Sequence, residues 1–234
     1  MRVSLVALAL SSLALPTLAQ PVTAPLPAAA PAILNTPIAT GPGHQVYPDV
    51  SDYENDHFVA YMSNASGNWD IWYYDLLDGK NRQLTSDPGN QLHPGLMHDE
   101  IVWEEFKSDG GGWDIYYANT TTGDRRRLSL PGDQRWPEVS HGTVTFQDNR
   151  PGNWDIVQWE VATGKTNTLA GGPGDQALPS VRHSAIVWED TRNGNADVYA
   201  WDIFGKMERA IATGAPLQRA PYVQIGRASC RERV

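Results

Sequence analysis

The stretch from Gln134 to Leu169 decides the fold, and it reads QRWPEVSHGTVTFQDNRPGNWDIVQWEVATGKTNTL. It opens on Gln-x-x-Pro, places an aromatic residue nine positions after the proline, and continues through Asn-Trp-Asp-Ile to Thr-Gly and a final leucine. Its apolar runs, such as Thr143–Phe146, are rich in β-branched and aromatic residues and are bounded by Gly, Pro, Asn or Asp. Such runs are too short for ordinary helices and indicate β-strands joined by tight turns.

The same pattern is repeated along the chain. Gln-x-x-Pro opens the copies at Gln45–Pro48, Gln91–Pro94, Gln134–Pro137, Gln176–Pro179 and Gln218–Pro221. The aromatic residue follows at Tyr61, Trp103, Phe146 and Trp188, and the motif aspartate at Asp70, Asp114, Asp155 and Asp197. Successive prolines are 46, 43, 42 and 42 residues apart. A period of this length indicates an array of supersecondary units that bury their faces against one another.

Each copy contains four candidate strands, and four strands in roughly 40–45 residues are typical of one propeller blade. We therefore predict an all-β fold, a β-propeller of four-stranded blades with four complete repeats and the start of a fifth. The predicted repeats cover residues 45–90, 91–133, 134–175, 176–217 and 218–224.

These motifs resemble the TolB-type β-propeller repeat, a WD40-like unit of bacterial periplasmic and surface proteins. The resemblance covers Gln45 to Gln224. It implies a propeller, and because propellers with this repeat usually have about six to eight blades, we expect the chain to be part of such a ring. TolB itself has an α/β domain before its propeller, where this chain has a Pro/Ala-rich segment, so its role at the Pal lipoprotein is not implied.

The two ends of the sequence differ from the repeats. Residues 1–19 combine a basic start, an apolar stretch too short to span a bilayer, and small residues at the end, which predicts a signal peptide and a periplasmic or secreted protein. Residues 20–43 are rich in Pro and Ala and predict an extended linker. Residues 225–234 match no repeat and resemble a translated sequencing adapter, so we expect a non-native tail containing the sole cysteine, Cys230.

The composition limits the partners. Eighteen Lys and Arg against 27 Asp and Glu give a formal net charge of −9, so we expect binding neither to nucleic acid nor to anionic lipid, which need basic surfaces. Nine Trp, nine Tyr and 21 Gly favour β-structure with many turns. Beyond the N-terminus, no apolar run is long enough for a membrane span.

The repeated polar residues are best interpreted as structural. A carboxylate at the same point of each blade could line a channel or hold a cation, but residues that define a repeat usually satisfy turn amides. The glutamines and prolines of the opening motif are expected to fix the connection between blades. The predicted structural residues are Asp70, Asp114, Asp155, Asp197, Gln91, Gln134, Gln176, Gln218, Pro48, Pro94, Pro137, Pro179 and Pro221.

No motif in the sequence predicts a catalytic, cofactor or metal site. The six histidines are scattered without zinc-ligand spacing, and no nucleophile elbow, Walker loop or dinucleotide fingerprint is present. Asp148–Arg150 and Asp190–Arg192 predict local surface ion pairs, and Glu105–Lys107 predicts a looser version.

Three functions remain open. The favoured hypothesis is an exported, non-catalytic scaffold that binds a protein or cell-envelope partner. The first alternative is the propeller part of a secreted hydrolase or lyase that acts on polysaccharide or peptide. The second is a carbohydrate-binding module, in which Trp69, Trp113 and Trp154 would stack on sugars instead of packing between blades.

Overall fold

The computed structural model describes residues 37–51, 56–107, 110–214, 218–219, 221–224 and 227–230, the side chains of 222–224 and 227–230 excepted. The described residues form strands and turns, without a helix. The first blade comprises β1 (Gln45–Val50), β2 (Phe58–Ser63), β3 (Asp70–Asp75) and β4 (Lys80–Gln83). The second comprises β5 (Gln91–Met97), β6 (Glu100–Phe106), β7 (Trp113–Asn119) and β8 (Arg125–Leu128). The third comprises β9 (Gln134–Ser140), β10 (Thr143–Asp148), β11 (Asp155–Glu160) and β12 (Lys165–Ala170). The fourth comprises β13 (Gln176–Arg182), β14 (Ala185–Asp190), β15 (Asp197–Asp202) and β16 (Met207–Ala212).

Each blade is an antiparallel sheet whose strands pair in chain order. The first strand of each blade packs against the first strand of the next, β1 on β5, β5 on β9 and β9 on β13, so these are the inner strands of the assembly. The four sheets form a partial β-propeller, and the all-β prediction is confirmed. A hairpin of β17 (Pro221–Gln224) and β18 (Arg227–Cys230) follows, and β17 packs against β13 and β14 of the fourth blade.

Several sequence-based predictions concern the ends of the chain. The predicted signal peptide and residues 20–36 of the predicted linker lie outside the described residues, as do 225–226 and 231–234 of the predicted non-native tail. The described end of the linker touches the first blade, where the Asn81 amide donates to the carbonyl oxygen of Ile38 at 2.6 Å. Residues Arg227–Cys230 of the predicted tail form β18.

Three apolar layers hold the blades together. Their fully buried centres are Ile71, Leu96 and Ile101 between the first two blades, Val144, Phe146 and Ile115 between the second and third, and Ile156, Ile186 and Trp188 between the third and fourth. Because each face is apolar and each layer takes side chains from two blades, no sheet buries its core alone. The inner strands come so close that a Cβ on Gly95 would lie 2.8 Å from the carbonyl oxygen of Pro137.

The Gln-x-x-Pro motif forms a β-bulge inside every inner strand. The residue before each proline has a positive φ of 51–53°, at Tyr47, His93, Trp136 and Leu178. The bulged pair lies opposite the single motif aromatic of the second strand, as Trp136 and Pro137 do opposite Phe146. Proline has no N–H to donate and is tolerated where the ladder is interrupted. The prolines thus lie within the inner strands, and not in the connections between blades that the sequence predicted.

The bulge also joins neighbouring blades. The N–H of the positive-φ residue donates to a side chain from the second strand of the preceding blade: His93 to Met62 Sδ at 3.2 Å, Trp136 to Glu104 Oε2 at 2.7 Å, and Leu178 to Gln147 Oε1 at 2.9 Å. These three acceptors each follow the motif aromatic by one residue. A backbone donor that the bulge removes from its own ladder is therefore satisfied across the blade interface.

The motif glutamines support the connections between blades. Gln91, Gln134 and Gln176 are fully buried. Their side-chain amides donate to carbonyl oxygens of the preceding connection, to Gly89 at 2.8 Å, Pro131 at 2.9 Å and Pro173 at 3.3 Å. The backbone N–H of Gln218 donates to Ala196 at 3.0 Å, which repeats the contact that Gln176 makes with Trp154.

The motif aspartates lie in the outer parts of their own blades, with exposed fractions of 0–7%. Asp197 accepts hydrogen bonds from Asn195 at 2.7 Å, from Asn193 at 3.0 Å and from the backbone N–H of Gly214 at 3.0 Å. Asp70 accepts from Gln83 at 2.9 Å and from Ser66, and Asp155 from Asn153 at 3.3 Å. Each carboxylate thus fixes the loop before its strand and the chain that leaves the blade.

In the second blade the corresponding carboxylate has cationic partners. Arg127 contacts Asp114 Oδ2 through Nε at 2.8 Å and Nη2 at 2.7 Å, and Lys107 Nζ lies 2.8 Å from Oδ1. The side chain of Asp114 is fully buried and that of Lys107 is 8% exposed. Removing the Asp114 carboxylate would leave the nearly buried Lys107 ammonium without this counter-charge.

We predict that Asp197→Ala lowers the free energy of unfolding by about 1–3 kcal/mol, because the Gly214 N–H and the two asparagine amides lose their acceptor. Asp155→Ala should cost less, since fewer donors converge on that carboxylate. Urea unfolding measures both values. Asp124, whose side chain is 43% exposed, is the control, and its alanine variant should stay within about 0.5 kcal/mol of wild type; an equally small effect of Asp197→Ala would contradict the structural role.

Candidate functional site

The four bulge residues occupy equivalent positions on the inner strands, and those of the first three blades contact one another. We call Tyr47, His93, Trp136 and Leu178 the channel face. The imidazole of His93 stacks on Trp136 with ring centroids 3.8 Å apart and 19° between planes, and Tyr47 meets His93 edge-on at 5.0 Å. Tyr47 is 54% exposed. A cavity of about 170 Å³ lies beside them and is bordered by inner-strand residues of all four blades.

Glu104 holds the channel face in place. Its fully buried carboxylate lies 2.9 Å from His93 Nδ1, 2.6 Å from Arg135 Nη2 and 2.7 Å from the backbone nitrogen of Trp136. One side chain of the second blade thereby positions both rings of the stacked pair. The guanidinium of Arg135 also lies 4.4 Å from the ring centre of Trp113. This cation–π contact connects the channel face to the beginning of β7 in the second blade.

A charged layer borders the same cavity. The buried guanidinium of Arg182 on the fourth blade lies 3.3 Å from Glu138 of the third and 3.5 Å from Asp49 of the first. Asp49 also accepts the Leu96 N–H at 2.7 Å. Burial, together with the neighbouring Asp49 carboxylate, raises the pKa of Glu138 to about 8. Carboxylates from two blades thus share one arginine from a third.

Three histidines lie on the hairpins that follow the inner strands. His98, His141 and His183 occupy equivalent positions with φ of 54°, 49° and 43°. They are therefore placed by the repeat, and the description of the histidines as scattered was wrong for these three. His98 Nδ1 lies 2.6 Å from Asp56 Oδ1, and its ring centre is 5.9 Å from that of His141. Among the described residues, no group of three or more His, Cys, Asp or Glu side chains is arranged to hold a metal ion.

The structure separates the residues that the sequence singled out from those that form the channel face. The motif aspartates and glutamines lie at the beginnings of strands, where their side chains contact the neighbouring loops and connections. The channel face consists of the motif's variable position, the residue before proline. In the four complete repeats this fixed position carries a different large side chain each time. That variation was the sequence signal for the channel face, and the sequence-based predictions did not include it.

Glu138 gives the charged layer a pH dependence. In the folded chain its carboxyl has a pKa of about 8, above the ordinary value of 4.5, so the folded state binds this proton more tightly than the unfolded state does. Its contribution to the free energy of unfolding therefore falls as pH rises from about 4.5 to about 8 and is constant above that range.

We predict that Glu138→Gln flattens this decline, so that the variant gains stability relative to wild type between pH 5 and pH 9. Urea unfolding at several pH values provides the measurement, with the exposed Glu160→Gln as control. A Glu138→Gln profile parallel to wild type would show that this carboxyl does not titrate between the two pH values.

Comparisons with known proteins identify the fold. No protein-family model matches the sequence, and no curated protein matches it. Among solved structures, TolB from Acinetobacter baumannii has a TM-score of 0.61 at 17% identity, covering 79% of this chain and 47% of that one. The chain thus spans about half the length of that TolB.

Two further structures share the fold. Puromycin hydrolase has a TM-score of 0.56 at 15% identity, covering 80% of this chain and 33% of the enzyme. The nidogen/laminin complex has a TM-score of 0.53 at 16% identity, covering 73% of this chain and 65% of the matched chain. The similarity to the TolB repeat that the motifs predicted is confirmed: the chain folds as a TolB-like β-propeller.

Proposed function

We propose that this chain is the propeller of an exported, non-catalytic scaffold, which binds a protein or cell-envelope partner through its channel face. The observation that carries the proposal is the stacked His93–Trp136 pair beside the exposed Tyr47. These rings are held at one point by bulges of the successive blades. Tyr, Trp and Arg dominate the energetics of protein interfaces, because they combine a large apolar area with a polar end.

The surroundings of the channel face suit a polypeptide partner. The cavity beside it is small, so a compact ligand would be only partly enclosed. The exposed ring of Tyr47, the half-buried pair of His93 and Trp136, and the partly exposed carboxylates of Asp49 and Glu138 instead offer separate apolar and charged contacts along one surface. One of the similar folds was solved as a complex of nidogen with laminin, which is an example of a protein-binding propeller.

Export is the part of the proposal that rests on the sequence. Residues 1–19 have the pattern of a signal peptide, and the periplasm or the exterior is the destination that they favour. In the part of the chain that the structure describes, no helix has the length and apolar character needed to cross a membrane.

A second candidate is the propeller part of a hydrolase. Its support is the shared fold with puromycin hydrolase, of which this chain covers 33%. Sequencing of the gene beyond the codon for Gln224 tests it: an encoded peptidase or lyase domain would favour the hydrolase, and further blades followed by a stop codon would favour the scaffold.

We predict that a photo-cross-linking amino acid at position 47, in the chain expressed in the organism that encodes it, forms an adduct with one envelope protein. Trp136→Ala should reduce the adduct at least about fivefold, because truncation of a central aromatic residue often costs more than 1 kcal/mol of binding energy. The same amino acid at position 77, where Leu77 is 78% exposed on an outer turn, is the control. Equal adducts at both positions, or none at position 47, would contradict binding at the channel face.

A further inference from the structure

A repeated ion pair shows where the second blade departs from its neighbours. In three blades an acidic residue stands two positions after the motif aromatic and a basic residue two positions later: Glu105 and Lys107, Asp148 and Arg150, Asp190 and Arg192. In the third and fourth blades the arginine folds back onto the acid, with N–O distances of 2.5 Å. The carboxylates of both pairs are almost completely buried, so these are not the surface pairs that the sequence predicted.

The fourth blade shows what this position can bind. The Arg192 guanidinium contacts Asp190, lies 2.8 Å from Glu208, and covers the Tyr199 ring at 4.3 Å from its centre. Burial opposes ionisation of Asp190, but the hydrogen bonds from Arg192 hold the pKa of Asp190 below its usual range. A carboxylate and an aromatic face thus form a complete site for a guanidinium group.

In the second blade Lys107 does not take the place at Glu105 that Arg192 takes at Asp190 in the fourth blade, while Arg127 lies 5.6 Å from the ring centre of Tyr116, the counterpart of Tyr199. Lys107 turns away from Glu105, toward Asp114 at 2.8 Å and the Leu130 carbonyl oxygen at 2.8 Å. The prediction of a looser ion pair between Glu105 and Lys107 is therefore wrong. Burial and the nearby Asp87 carboxylate raise the pKa of Glu105, the opposite of the shift at Asp190.

Glu105 borders a groove between the first and second blades. The groove has a volume of about 840 Å³, within the range of ligand sites in proteins. Its wall includes Asp87, Asn90, Glu105, Phe106, Trp113 and Tyr116. Phe106 is 46% exposed and meets Trp113 edge-on at 5.5 Å. Two cations, Lys107 and Arg127, stand against three carboxylates, Asp114, Asp87 and Glu105, and the groove is net negative.

We propose that this groove binds an arginine side chain of the partner protein, with its guanidinium on Glu105 and its stem against Phe106 and Trp113. Glu105 repeats the carboxylate that Arg192 binds in the fourth blade; because Arg127 already lies over Tyr116, Phe106 and Trp113 supply the aromatic contact. The acidic character of the chain, with a net charge of −9, favours a basic partner. The inference deepens the proposed function, since it adds a second contact surface and states the chemistry of the partner.

The peptide acetyl-Gly-Arg-Gly-amide tests the groove directly, and its citrulline analogue has the same shape without the charge. Ligand-observed NMR titration of the whole chain should give saturable binding of the arginine peptide. Glu105→Gln should weaken that binding at least about fivefold, because a charge-assisted bidentate contact becomes a neutral one. Glu160→Gln, an exposed substitution on another blade, should leave it unchanged.

A second variant imitates the other blades. Lys107→Arg places an arginine where the third and fourth blades have one, and it should block the groove and abolish binding of the peptide. Arg127 remains to compensate Asp114 in this variant.

Three results would overturn the proposal: equal binding of the citrulline peptide, equal binding by Glu105→Gln, or binding of an N-acetylglucosamine trimer with no binding of the arginine peptide. The cross-link at position 47 does not involve Glu105, so failure of the groove and failure of the channel face are separate outcomes.

Discussion

The structure depends on one hydrogen bond that crosses each blade interface. At the bulge of an inner strand, a backbone N–H loses its partner in its own sheet, and a side chain of the preceding blade accepts it. An amide left buried without a partner costs about 1–3 kcal/mol. Neighbouring blades are thus joined by a polar contact of fixed geometry as well as by an apolar layer, which sets their relative position more tightly than apolar packing alone.

The same constraint creates the candidate binding surface. A positive φ turns the residue before proline out of the regular alternation of the strand, and in the first three blades the rings of Tyr47, His93 and Trp136 contact one another there. In the second blade the acceptor is Glu104, which also binds His93 and Arg135. One carboxylate therefore satisfies the bulge and orients the aromatic rings, and stability and binding are coupled at this point. Strained backbone held by its surroundings is a common feature of functional sites.

The blades were predictable from the sequence because their determinants are local. Short β-branched and aromatic runs, turn residues and a period of 42–46 residues between prolines identify four-stranded units without knowledge of their contacts. The role of the prolines was not predictable in the same way. A bulge exists only when a second strand lies opposite with one residue fewer, and this register is a property of the pairing.

The partners of charged side chains could also not be predicted from the residues next to them in the sequence. Lys107 resembles Arg150 and Arg192 in the sequence, yet in the structure it lies 2.8 Å from Asp114, the motif aspartate of its own blade. The histidines of the inner hairpins were missed since their spacing of about one repeat period resembles no metal motif, although it places them in equivalent positions.

The most direct test of the account is the hydrogen bond from Leu178 to Gln147 Oε1. Gln147→Leu places an apolar side chain of similar size at the interface and removes the acceptor, whereas Thr168→Val on the exposed outer strand of the same blade changes no such contact. Hydrogen exchange should show the Leu178 amide exchanging at least about tenfold faster in Gln147→Leu, with a loss of about 1–3 kcal/mol in the free energy of unfolding. Exchange and stability equal to those of Thr168→Val would show that the blades are held by their apolar layers alone, and would contradict the account.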